Sequence, residues 1–153
     1  MRRNHLILLV EDNVDDVELT VLAFQESQVV HKIVVAKDGE EALDYLFATG
    51  AHAGRDPSLF PEVVLLDLNL PKVDGLQTLT RMRADPRTQR IPVVVLTSSK
   101  WEQDVARSYD LGANSFVQKA VDFTTFLETA RALGLYWLGF NQTPPHHERN
   151  TLE

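Results

Sequence analysis

The chain has 153 residues, 44% of them apolar, no cysteine and a formal net charge of −7. That length and apolar share describe one ordinary domain able to bury a core, and the missing cysteines exclude a disulfide framework and thiol chemistry. The acidic balance argues against direct binding to nucleic-acid backbones, which depends on Lys and Arg displacing counterions.

Arg2 and Arg3 precede the first apolar run, Leu6 to Val10. It is too short for a signal-peptide core, and no segment has the length and apolarity to span a membrane, so the expected location is the cytoplasm. The run ends at Glu11-Asp12, and Asn13 then caps a helical pattern carrying Val14, Val17, Val21 and Phe24. Ile33 to Ala36 is a second apolar run, followed by Asp38 and a helical segment with Ala42, Leu43, Leu46 and Phe47. Residues 48–61, rich in Gly, Pro and Ala, read as an exposed irregular loop. Val63 to Leu66 ends at Asp67, and Asp74-Gly75 opens a helix through Leu76, Leu79 and Met82 that stops at Asp85-Pro86. Val93 to Leu96 ends at Thr97, and a fourth helix runs from Ser99 through Trp101, Val105 and Tyr109 to a C-terminal glycine, Gly112. The weaker run Ser115 to Gln118 ends at Lys119. A fifth helix starts at Asp122, with Phe123, Phe126, Leu127, Ala130, Leu133 and Trp137 at core spacing and Leu135, Tyr136, Leu138 and Phe140 elsewhere on its circumference. Residues 1–140 therefore read as one domain with an extended last helix, and 141–153 as a disordered tail whose adjacent His146 and His147 make no metal site without further ligands.

The apolar runs are short, Val- and Ile-rich and continuous rather than alternating, as in strands buried on both faces. Strand–helix alternation repeated five times implies a mainly parallel sheet covered by helices on both sides, because parallel neighbours need right-handed crossovers. Ligands of such sheets bind beyond the carboxyl ends of the strands. Glu11, Asp12, Asp67, Thr97 and Lys119 all fall there. Three carboxylates in one crevice repel unless a cation or a proton joins them, and an all-oxygen donor set suits Mg²⁺. Each residue has a plainer role by itself. Asn13, Asp15 and Asp16 suit a helix start, Thr97 can satisfy backbone, and Lys119 can be a solvated lysine; their joint occurrence points to one site.

The segments Leu-Leu-Val-Glu-Asp-Asn (8–13), Val-Val-Leu-Leu-Asp-Leu-Asn-Leu-Pro-Lys-Val-Asp-Gly (63–75), Ile-Pro-Val-Val-Val-Leu-Thr-Ser-Ser (91–99), Gly-Ala-Asn-Ser-Phe (112–116) and Lys119 give residues 6–140 a specific resemblance to the receiver domain of two-component response regulators. The resemblance implies a flavodoxin-like (βα)5 doubly wound sheet with strand order 2-1-3-4-5, and an aspartyl-phosphate switch. By the same resemblance Asp67 is the phosphoacceptor for a partner histidine kinase, and the protein assists formation and hydrolysis of its own acyl phosphate rather than acting on a separate substrate. Asp12 and Asp67, with the backbone carbonyl of Asn69, would ligate Mg²⁺, and Glu11 would act through a bound water. Lys119 would neutralise phosphoryl charge, the Thr97 hydroxyl would bond a phosphoryl oxygen and move toward it, and Phe116 would be the switch aromatic, its plainer reading being a buried strand residue.

One departure is Ala120, where the family usually has a proline after the lysine. A cis bond before a non-proline residue costs about 2.5–4 kcal/mol, so the expectation is a trans Lys119–Ala120 peptide with a rearranged loop, or a strained cis bond held by packing. A phosphatase of the aspartate-nucleophile type would need an acid/base aspartate at position 69, which is Asn69. A flavin carrier would need a glycine- and hydroxyl-rich phosphate loop where Glu11 to Asp16 stand. The remaining alternative is a phosphorylation-independent dimeric adaptor. The inserted loop and the Tyr136-Trp137-Leu138 ending also resemble the small response regulators paired with bacterial phytochromes, which implies a homodimer with those three residues in its interface.

Overall fold

The computed structural model describes residues 6–26 and 31–145. Five strands, β1 (Leu6–Val10), β2 (Lys32–Ala36), β3 (Val63–Leu66), β4 (Val93–Thr97) and β5 (Ser115–Gln118), alternate with the helices α1 (Val14–Gln25), α2 (Gly39–Phe47), α3 (Gly75–Ala84), α4 (Glu102–Asp110) and α5 (Phe123–Gly134). All four pairings are parallel and the strand order is β2-β1-β3-β4-β5, the flavodoxin-like order expected. Side chains alternate across the central strands and build a core on each face. Leu8, Val10, Val64, Leu66, Val93 and Val95 pack with Ala42, Leu46, Leu79 and Met82 of α2 and α3. Ile7, Leu9, Val63, Leu65 and Val94 pack with Phe24, Phe126, Ala130 and Leu138 on the other face.

Short polar side chains start four of the helices. Asn13, Asp38, Asp74 and Asp122 each accept a hydrogen bond from the backbone N–H three residues on, and Asp74 and Gln77 complete a reciprocal capping box. Helix α4 is the exception. It starts at Glu102 rather than near Ser99, with no side-chain cap at Trp101, and it leaves Trp101 and Tyr109 exposed, so the aromatic spacing there does not mark a buried face. Gly112 follows it at φ +105°, a conformation that favours glycine.

Arg55 organises the loop over residues 48–61. Its guanidinium donates to the carbonyls of Tyr45, Leu46, Asp56 and Leu59 and stacks 4.2 Å over the Tyr45 ring, while Phe60 is buried. Apart from a 3₁₀ turn at Gly50–His52 the segment is irregular, as expected.

The last helix differs from its expected pattern. Phe123 is 56% exposed, whereas Phe126, Ala130, Gly134 and Leu138, four apart, form the buried stripe. After Gly134 the helix widens into a π-type turn over Leu135–Phe140, in which Asn141 N–H donates to the Tyr136 carbonyl at 2.7 Å. That turn directs Leu138, 2% exposed, into the domain's own core. Leu138 therefore leaves the outward-facing set proposed from sequence, which retains Tyr136 and part of Trp137. Residues 141–145 follow without regular structure, and His146 and His147 lie outside the described residues.

Candidate functional site

The site is built by extending the strand ladders one residue past their ends. Glu11 N–H donates to the Ala36 carbonyl at 2.9 Å, Asp67 N–H to Val10 at 3.1 Å, and Lys119 N–H to Thr97 at 2.7 Å. Each polar residue after an apolar strand is thus held by sheet hydrogen bonds at the carboxyl edge. Glu11 and Asp67 are buried, as is Thr97, and Asp12 is exposed. One carboxylate oxygen from each of Glu11, Asp12 and Asp67 lies within 4.8 Å of the others. This convergence of hard oxygen donors, two buried and one open to solvent, fits a small divalent cation that keeps part of its water shell.

Lys119 enters the same crevice. Its Nζ donates to Glu11 Oε1 at 2.6 Å, Asp16 Oδ2 at 2.7 Å and Asp67 Oδ2 at 3.4 Å. The Lys119–Ala120 peptide is trans, there being no cis bond among the described residues. Ala120 therefore does not prevent the lysine from reaching the carboxylates. Sequence reasoning assigned Asp16 only to the start of α1. The missed signal is its place one turn beyond Asp12, on the helix end that faces the strand termini.

Three carboxylates, those of Glu11, Asp16 and Asp67, surround one ammonium, and the electrostatics follow from that imbalance. Burial pushes Glu11 up to about 7, helped by Asp67, against the lowering effect of the Lys119 hydrogen bond. Lys119 loses basicity through burial but gains more from its hydrogen bonds to Asp16 and Glu11 and the charge of Asp67, so it stays protonated.

The loop after β3 is held close to the site. Asn69 N–H points at Asp67 Oδ1 at 3.4 Å, and Gly75 N–H donates to the Leu68 carbonyl at 3.1 Å. A Cβ on Gly75 would lie 2.3 Å from the Asp67 carbonyl oxygen and 2.7 Å from Leu68 Cα, so only glycine lets α3 abut this loop undistorted. On the β4 side, Thr97 Oγ1 faces Ser99 N–H at 3.5 Å, and the Ser99 hydroxyl donates to Asp104 of α4. Phe116 lies mid-strand, half-buried against the α2–α3 core, with its N–H donated to Tyr109 Oη at 3.2 Å. The structure thus joins Glu11, Asp12, Asp67 and Lys119 and adds Asp16, with Thr97 at the end of β4 and Phe116 farther back on β5.

Comparison with known proteins gives the family and the fold. The response regulator receiver domain model matches residues 7–131. A probable methanogenesis regulatory protein, FilR2 of Methanothrix harundinacea, is 42% identical over 139 residues, covering 91% of this chain and 87% of its own. Among solved structures, the Mn²⁺-bound form of the response regulator Rcp1, a protein known from Synechocystis, superposes with a TM-score of 0.86 at 34% identity, covering 92% of this chain and 99% of that one. The phosphorylated cyanobacterial phytochrome response regulator RcpA superposes with a TM-score of 0.87 at 38% identity, covering 94% and 100%. With agreement that runs the length of both chains rather than over a motif, this protein belongs to the response regulator receiver domain family and is the receiver of a two-component system.

Proposed function

We propose that Asp67 accepts a phosphoryl group from a phosphohistidine of a partner histidine kinase. The observation that carries this reading is the convergence of Glu11, Asp12 and Asp67 within 4.8 Å, with the Lys119 ammonium among them. An Asp67 carboxylate oxygen forms a bond to phosphorus as the P–N bond to the histidine breaks and the electron pair leaves on the imidazole. Asp12, Asp67 and the Asn69 carbonyl would hold Mg²⁺, with Glu11 acting through water. The ion supplies neutralisation of charge on the attacking carboxylate and the phosphoryl oxygens. Lys119 binds a phosphoryl oxygen from the other side. The Thr97 hydroxyl donates to another, drawing away from Ser99 and loosening the start of α4. Phe116 turns inward as Thr97 moves, and contacts on the α4, β5 and α5 face change with it.

The test is phosphotransfer from a radiolabelled histidine kinase domain. Label should reach wild type in the presence of Mg²⁺ and fail to reach Asp67→Asn; equal labelling of both refutes the assignment. Similarity to RcpA supports a phytochrome as the kinase, and transfer from a phytochrome kinase but not from unrelated kinases is the corresponding result. A homodimer is the assembly in this reading. It is supported by Leu135, Tyr136 and Phe140, which are 42%, 49% and 68% exposed around the last turn. Sedimentation should show a micromolar dimer that Tyr136→Ala with Phe140→Ala weakens, and a monomeric wild type at that concentration refutes it.

A further inference from the structure

The Lys119 ammonium has three N–H bonds and three carboxylates around it, and they are not equivalent. Glu11 at 2.6 Å and Asp67 at 3.4 Å belong to the convergent group suited to a cation, whereas Asp16, at 2.7 Å, stands outside that group. The Asp16 backbone is also held in place. Its N–H is taken by the Asn13 cap at 2.9 Å and its carbonyl accepts the Thr20 hydroxyl at 2.7 Å, so a short side chain on a fixed helix turn faces a long, flexible one. The lysine side chain is 9% exposed and cannot relax into bulk water if a partner is lost.

We infer that Asp16 is a positioning residue that holds the Lys119 ammonium beside the cation site and keeps it from competing with the cation for Glu11 and Asp67. When those two carboxylates turn to a divalent ion, Asp16 remains as the lysine's partner. Without Asp16, every carboxylate within reach of Lys119 among its present partners is one the cation also needs. The ammonium and the ion then compete for the same oxygens. This role rests on reading Glu11, Asp12 and Asp67 as a Mg²⁺ site.

The test is titration calorimetry with Mg²⁺ alone on wild type, Asp16→Asn, Lys119→Met and the double variant. Asp16→Asn should weaken binding about fivefold in the wild-type background. In the Lys119→Met background it should do so by less than about twofold, because the effect passes through the lysine. Equal weakening in both backgrounds overturns the inference, since Asp16 would then be acting on the ion through space. Unchanged binding by Asp16→Asn overturns it as well. Asp16→Glu, which retains the carboxylate, should recover most of the lost affinity, and a failure to do so in a variant with wild-type melting also counts against it. A wild type that binds no Mg²⁺ refutes the cation site itself, a failure distinct from the others.

Discussion

Substituting Gly75 by alanine inserts a methyl group between the first turn of α3 and the chain that follows Asp67. The new Cβ would stand 2.3 Å from the Asp67 carbonyl oxygen and 2.7 Å from Leu68 Cα, where unstrained contacts are about 3.5 Å or longer. Both obstacles are backbone, so relief requires the helix start and the loop to part by roughly 1 Å. Overpacking of this kind costs about 1–3 kcal/mol, offset by about 0.4–1 kcal/mol from the stiffer unfolded chain. With backbone on both sides the upper part of that cost, about 2–3 kcal/mol, applies, and the net loss of about 1–2.6 kcal/mol lowers the melting temperature by roughly 3–10 °C for a domain of this size. Gly54 supplies the control: nothing lies within 4 Å of its added Cβ, so Gly54→Ala should melt at or slightly above wild type. Calorimetric melting of the three proteins reads the difference, and Mg²⁺ titration should show weaker binding only in Gly75→Ala because Asp67 moves with its carbonyl. A Gly75→Ala protein that melts with Gly54→Ala and binds Mg²⁺ normally would refute the close-approach argument.

Two further outcomes follow from charged groups held wholly or partly out of water. Arg83 donates to the Gly112 carbonyl at 2.9 Å, to Ile91 at 2.9 Å and to Asn114 Oδ1 at 3.0 Å, joining the end of α3 to the entrances of β4 and β5. Arg83→Met should cost about 2–4 kcal/mol by urea denaturation, since several carbonyls lose a charged donor, and a loss below about 0.5 kcal/mol contradicts that role. Glu11 holds its proton up to about 7 in the folded protein against an ordinary 4.5, so between those values the unfolded chain releases a proton that the folded one keeps. In Mg²⁺-free buffer the stability of wild type relative to Glu11→Gln should therefore fall as pH rises through that window. A difference that is flat or rises with pH contradicts it.

The sheet was legible because the first four strands are built on continuous apolar runs and four of the five helices begin with a capping residue; Asn13, Asp38, Asp74 and Asp122 cap as read. Helix α4 was read too long because Ser99 looks like a cap but spends its hydroxyl on the Asp104 side chain. The last helix misled because spacing assumes 3.6 residues per turn, and the π-type turn at Leu135–Phe140 puts Leu138 where that count places another face. Arg55 shows the limit in loops: four carbonyl acceptors scattered over residues 45–59 leave no periodic trace. At the site, Glu11, Asp12, Asp67 and Lys119 were legible because each lies within two residues of the end of a strand. Asp16 was not, because a residue in the first turn of a helix has a sufficient local reason to be acidic, and only the fold brings Lys119 to it.

The most direct test of the central claim is intact-mass spectrometry after incubation with acetyl phosphate, with and without Mg²⁺, on wild type and Asp67→Asn. The account predicts a single phosphoryl adduct on wild type that requires Mg²⁺, and none on Asp67→Asn. An adduct that persists in Asp67→Asn, or that forms equally well without Mg²⁺, would contradict it.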